Sequence, residues 1–162
     1  PVEEDNFIDK DLSMREYLSE IISSFREISK KNFILNTDQD SNKKKITKSI
    51  EIIYGLRNFI GNANKFANQN IFITLKSDNE FTKIIIEDDG SGYPSDILPK
   101  IGEPYLKTEK SNQKSKNGLG LGIFIGKTLL EKNFASVNCK NSKTRSGAEI
   151  VISWKNNDLF NI

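Results

Sequence analysis

The sequence predicts an α+β fold of two layers, with helices on one face of a mixed β-sheet. Strand-like runs gather at residues 71–87 and 135–154, apart from the helical stretches rather than alternating with them one for one. The helical stretches carry apolar residues at spacings of three and four, the period of a helix with one buried face. At 162 residues the chain suits a single domain, able to bury roughly two-thirds of the surface it exposes when unfolded.

Taken in order, residues 1–12 are acidic and irregular and read as a connector. Ser13 and Glu16 have the Ser-x-x-Glu spacing of a capping box, and Met14, Tyr17, Leu18, Ile21, Ile22, Phe25 and Ile28 continue as an amphipathic helix over 13–30. A short strand follows at 32–36, then a polar loop at 37–45 whose basic run reads as a solvated turn. The helix predicted at 47–67 is the element the chain is organised around. Wound at 100° per residue, it gathers Ile53, Leu56, Ile60, Ala63 and Ala67 on one side and Asn58, Asn62, Lys65 and Phe66 on the other. The second stripe reads either as a solvated face or as a polar patch built for a ligand. Alternation at 71–76 and an isoleucine run within 80–87 predict a hairpin with one half-buried and one central strand. A short helix at 95–101, a polar Lys-rich loop at 109–117, a helix at 123–132 and strands at 135–140 and 148–154 complete the domain at residue 156, with 157–162 as a tail.

Composition excludes several chemistries. The 24 basic residues nearly cancel the 22 acidic ones for a net charge of +2, so no nucleic-acid partner and no membrane contact are expected from charge. With no histidine, the chain contains no Ser/His/Asp or Cys/His triad and no histidine metal site. The single cysteine, Cys139, cannot form an internal disulfide and sits in an alternating segment that suits a packed thiol. No apolar run approaches the roughly 20 residues that cross a bilayer. The opening Pro1, Val2, Glu3, Glu4 lacks a methionine, and we expect a piece of a longer protein.

Two glycine clusters carry chemistry. Asp88, Gly90 and Gly92 end the central strand, where the glycines permit positive φ and close approach of backbone. Gly118, Gly120 and Gly122, with Leu119 and Leu121 between them, open a helix and leave its free N–H groups and positive dipole end available to an anion such as phosphate. The spacing is neither that of a Rossmann fingerprint nor that of a P-loop. Mg²⁺ takes one or two oxygen ligands from protein and the rest from phosphate and water, and Asn62 offers one amide oxygen. Lys65 and a lid lysine can offset phosphate charge, Asp88 can accept from the exocyclic amine of a base, and Phe66 offers an apolar wall.

In order and spacing, four segments resemble the boxes of a known family. Residues 58–67 resemble the N box, 88–92 the first glycine box, 103–108 the F box and 118–123 the second glycine box. These belong to the catalytic ATP-binding domain of sensor histidine kinases, in the gyrase, heat-shock chaperone, histidine kinase and MutL superfamily. Residues 118–132 and 102–108 are most similar to RegB-type, redox-responsive kinases. The resemblance implies the Bergerat-type ATP-binding fold and ATP with Mg²⁺ as cofactors. By position it implies Asn62 as the Mg²⁺ ligand with Asn58 assisting, Lys65 on phosphate, Phe66 against adenine and Asp88 on its amino group. Gly90 and Gly92 would seat the base, while Gly118, Leu119, Gly120, Leu121 and Gly122 would hold the phosphates and hinge a lid. Lys107 stands where the family has Arg or Lys, and Gly102 stands where the F box usually opens with Phe.

Position 58 separates the function classes within that resemblance. Superfamily members that hydrolyse ATP generally carry Glu one turn before the Mg²⁺ asparagine, because water needs a general base; here the residue is Asn58. A neutral imidazole already presents a lone pair at pH 7 and needs no such base. The resemblance therefore implies a protein-histidine kinase catalytic domain. Its acceptor histidine would lie on a separate dimerisation domain, with a response regulator downstream, in a cytoplasmic part of a membrane-anchored bacterial sensor. An ATP-hydrolysing conformational switch and a non-catalytic nucleotide-binding interaction domain are the alternatives.

Overall fold

The computed structural model describes residues 12–38, 45–46, 49–101 and 119–160. Helix α1, Met14–Ile28, opens at Ser13, whose hydroxyl accepts from the Glu16 N–H while the Glu16 carboxylate accepts from the Ser13 N–H, so the predicted capping box is formed. Its face of Met14, Tyr17, Leu18, Ile21 and Ile22 is buried. Helix α2, Ile50–Phe66, starts at Ser49, whose hydroxyl accepts from the Ile52 N–H; Thr47 and Lys48 of the predicted helix lie outside the described residues. The predicted core face of α2 is buried, joined by Ile52 and Phe59. Phe59 lies on a second flank of the helix, where α3 packs.

The strands are β1 (Leu12–Ser13), β2 (Asn32–Thr37), β3 (Lys45–Ile46), β4 (Asn70–Ser77), β5 (Phe81–Asp88), β6 (Ser136–Asn141) and β7 (Ala148–Lys155). Five of them form one sheet in the order β2-β4-β5-β7-β6, with β2 parallel to β4 and the remaining pairs antiparallel, so the sheet is mixed. β1 and β3 pair separately, Leu12 opposite Ile46; at two residues each they are too short to show a period. Along central β5 the alternation turns Thr82, Ile84, Ile86 and Asp88 toward the helices, so the isoleucine run is split between two faces. On the opposite face Arg145 lies over the Phe72 ring at 3.6 Å and its Nε is 3.8 Å from Glu87, outside the helical layer.

Two helical segments differ most from the sequence reading. Residues 95–101 form a turn and a single 3-10 segment, Leu98–Lys100, rather than a helix; Pro99 has no N–H to continue an α-helical ladder. Helix α3, Leu119–Lys132, begins four residues before the predicted 123, which puts Gly120, Leu121 and Gly122 inside its first turn. Further along, close packing between α2 and α3 calls for glycine at Gly126 and Gly55. A Cβ on Gly126 would stand 3.0 Å from the Phe59 ring, and one on Gly55 2.7 Å from Leu130 Cγ. Helix α4, Asn156–Leu159, follows β7, with Leu159 buried in the core. Trp154, fully buried, donates its indole N–H to the Asn133 carbonyl at 3.1 Å. Burial pushes the half-buried Cys139 thiol up to about 11, against the pull of Lys127, so it stays protonated at neutral pH.

Candidate functional site

α2 and α3 are antiparallel. Glu51 near the start of α2 pairs with Lys132 at the end of α3 at 3.1 Å, Gly55 faces Leu130 and Gly126, and Phe59 covers Gly126. Continued along both helices, this register carries Asn62 to the level of Gly122, so the polar stripe of α2 runs beside the glycine-bearing first turn of α3. Asn58 and Asn62 are half-buried there. The Asn58 Nδ2 donates to the Tyr54 carbonyl at 2.8 Å, a bond one turn back that fixes the amide and leaves Oδ1 unused by it. Lys65 is exposed, its Nζ 5.8 Å from the centroid of the half-buried Phe66 ring. Leu121 is 65% exposed and Gly122 half-buried. A Cβ on Gly122 would meet no described atom within 4 Å. Leu119 and Gly120 belong to the backbone of this first turn, whereas Gly118 and Lys107 lie outside the described residues, as do the F box and the 109–117 loop.

Asp88 closes the same site from the sheet. It is 3% exposed at the end of β5, and its Oδ1 accepts from the Gly90 N–H at 2.8 Å and the Ala148 N–H at 3.4 Å. Burial raises its pKa, opposed by those two N–H groups and by Lys31, and reinforced by the charge of Asp89. A carboxylate held at such a cost is characteristic of functional positions. The two glycines after Asp88 have separate duties. Gly90 is pressed against the end of α2, where a Cβ would stand 2.2 Å from the Phe66 carbonyl oxygen. Gly92 has φ +78°, a conformation that favours glycine, and a Cβ there would meet the Asn141 side chain at 2.8 Å. Asn141 in turn accepts from the Tyr93 N–H and donates to the Tyr93 carbonyl, tying this loop to β6.

Several residues that shape the site were not singled out by the sequence. Gly147 is pressed against Asp88: a Cβ on it would lie 2.1 Å from the Asp88 carbonyl and 2.2 Å from Oδ1. Lys31 donates to the carbonyls of Asn64 and Ala67, closing the C-terminal end of α2. Asp89 accepts from the N–H groups of Asn68, Gln69 and Asn70. These contacts join residues at least 19 positions apart in sequence, beyond any local pattern.

The model of the histidine kinase-, DNA gyrase B-, and HSP90-like ATPase family matches residues 47–158, the span from α2 through β7 that builds this site. The chain belongs to that family. Among curated relatives of this ATPase domain, the sensor histidine kinase RegB of Cereibacter sphaeroides is 33% identical over 130 residues, covering 71% of the chain and 28% of RegB. The chain thus spans little more than a quarter of the length of that relative. The catalytic domain of histidine kinase ThkA shares the fold at a TM-score of 0.73 and 19% identity, covering 90% of this chain and 94% of that one. Full-length ShkA does so at 0.70 and 20%, covering 90% of this chain and 30% of its own. The two-layer fold and the histidine kinase-type ATPase class anticipated from the four boxes are both borne out. Among the described residues, no helix is long and apolar enough to cross a membrane, and no group of three or more His, Cys, Asp or Glu could hold a metal ion.

Proposed function

We propose that this domain binds Mg-ATP between the polar stripe of α2, the first turn of α3 and Asp88, and presents the γ-phosphate to a histidine outside the chain. The observation that carries the reading is the buried Asp88 carboxylate, held by two backbone N–H groups at the end of β5, two residues before Gly90, which packs on the last residue of the helix that bears the asparagines. The free oxygen of Asp88 accepts from the adenine amino group, and Phe66 lies against the base. ShkA was solved in complex with AMPPNP, an ATP analogue, which supports nucleotide binding by the shared fold.

The donor set fits Mg²⁺. With no acidic cluster among the described residues, a metal here depends on phosphate and water oxygens, and an octahedral ion that keeps several waters needs only one or two protein ligands. The amide oxygens of Asn62 and Asn58 are those ligands. When bound, the metal neutralises phosphate charge. The remaining work falls to the chain: the N–H groups at the start of α3 that have no partner within the helix, at Leu119, Gly120 and Leu121, receive the phosphates at the positive end of the helix, and Lys65 and Lys107 offset their charge. Asn58 supplies no carboxylate, so water gains no general base, whereas phosphoryl transfer to an imidazole needs chiefly position and charge stabilisation. Since the chain has no histidine, the acceptor sits on another domain of the intact sensor, upstream of a response regulator.

Calorimetry with Mg-ATP tests the site. The unaltered chain should bind, while Asn62→Ala and Asp88→Asn should lose binding and keep their circular dichroism spectra; unchanged affinity in both variants refutes these roles. With γ-labelled ATP the chain should remain unlabelled and release no steady phosphate. Steady release would favour the hydrolytic switch instead.

A further inference from the structure

We propose that Asp89 is a positioning residue for base recognition, setting the distance between the base wall at Phe66 and the base reader at Asp88. The inference rests on the nucleotide reading above. Every polar group of Asp89 is spent on one three-residue segment, the loop between α2 and β4. Its Oδ1 accepts from the N–H groups of Asn68 at 2.8 Å, Gln69 at 3.0 Å and Asn70 at 3.1 Å. Oδ2 accepts from the Asn70 N–H at 3.1 Å and the Asn70 side-chain amide at 3.0 Å. The Asp89 carbonyl accepts from the Asn68 amide at 2.8 Å, and the Asp89 N–H donates to the Asn70 carbonyl at 3.3 Å.

Three successive N–H groups converging on one oxygen form an anion-binding nest, and here the nest is filled by the protein's own carboxylate. The segment begins one residue after Ala67, the cap of α2, and Asp89 follows Asp88 directly. Locking the two therefore locks the last turn of α2, with Asn62, Lys65 and Phe66, to the end of β5. Gly90 completes the lock by lying on the Phe66 carbonyl, and Lys31 holds the same helix end from the other side. Burial works against the charge of Asp89, but the N–H groups of Gln69 and Asn70, the Asn70 amide and Asn68 outweigh it and hold the carboxyl below its ordinary range. Asp89 is thus ionised throughout the neutral range and its clamp is in place there.

The test compares ATP with inosine triphosphate, which presents a 6-oxo acceptor where ATP presents a 6-amino donor. Calorimetric Kd values are measured for the unaltered chain, Asp89→Ala, Asp89→Asn and a core variant, Ile21→Val, on α1. Asp89→Ala should weaken ATP by about tenfold, the size of one charge-assisted hydrogen bond lost, and bring the ATP and inosine triphosphate affinities together. Asp89→Asn, which keeps an acceptor for the three N–H groups, should recover part of the preference. Ile21→Val should lower the melting temperature and leave the preference intact. A preference for ATP that survives in Asp89→Ala or, should the alanine variant fail to fold, a preference in Asp89→Asn as large as that of the unaltered chain, overturns the positioning role and leaves the nucleotide reading standing. If the unaltered chain binds neither nucleotide or does not prefer ATP, the role assigned to Asp88 falls first and this inference with it.

Discussion

Gly122→Ala separates a glycine kept for packing from one kept for a ligand. The position lies in the first turn of α3 and is half-buried, yet a Cβ there meets no described atom within 4 Å. Inside a helix alanine is favoured over glycine by about 0.5–1 kcal/mol, because it has less backbone freedom to lose. For a chain of this size that corresponds to a rise in melting temperature of about 1–4 °C without nucleotide. The same methyl group fills the space where the proposed site seats the phosphates, at the level of Asn62, and should weaken Mg-ATP by about tenfold or more. A melting scan reads both effects. At a hundredfold excess over its Kd a ligand stabilises by about 2.7 kcal/mol, and after a tenfold loss of affinity the same concentration gives about 1.4 kcal/mol. The variant should therefore melt higher than the parent when empty and gain less from Mg-ATP. An unchanged ATP-induced shift would refute the placement of the phosphates, and a lowered melting temperature of the empty protein would refute the open space around Gly122.

Two further outcomes follow from Asp88 and its support. Because burial raises the folded-state pKa of Asp88 above its unfolded value, its charged form weighs against folding, and stability is lost as pH rises through that folded pKa. Asp88→Asn should accordingly be more stable than the parent at pH 7, and urea titrations at a series of pH values should show the advantage shrinking as acid protonates the parent; a constant difference would sink the argument. Gly147→Ala places a methyl where the Asp88 carbonyl, at 2.1 Å, would have to withdraw beyond 3.0 Å. Overpacking of this kind costs about 1–3 kcal/mol, so the melting temperature should fall by several degrees and ATP binding should weaken with it; a variant as stable as the parent, binding ATP as well, would show that Gly147 does not support Asp88.

Much of the fold was legible because its elements are periodic. The capping box at Ser13 and the hairpin of β4 and β5 rest on local spacing and form where that spacing predicts them, while the predicted stripe of α1 is buried from Met14 to Ile22 but ends in Ile28, which is 79% exposed. The α2 face was read too narrowly, since winding a single helix assigns one buried side, whereas α3 packs on a second flank through Gly55 and Gly126 and buries Phe59. Gly120 and Gly122, read as opening a helix whose period resumes at residue 123, lie inside the first turn of α3. The pairing of Leu12 with Ile46 had no signal at all, at two residues per strand, with Leu12 the last residue read as connector and Ile46 just beyond the one read as a solvated turn.

The candidate site divides along the same line. Asn58, Asn62, Lys65, Phe66 and Asp88 were legible because one helix and one strand end carry them, and local period alone places them on one stripe and one turn. What holds them in register was not legible, because it comes from chain brought in at distance: Gly147 and Ala148 on Asp88, Lys31 on the end of α2, Asp89 on the loop beyond it. The glycines make the distinction sharpest. A single letter in the sequence stands for a close approach at Gly90, a positive φ at Gly92, a helix contact at Gly126 and, at Gly122, a space with no described atom within 4 Å. Three of these absences of a side chain are filled by the protein itself. The remaining one, beside the asparagine stripe and at a helix N-terminus, is the one whose space a ligand would use, which is why the alanine substitution there should strengthen the fold and weaken the binding together.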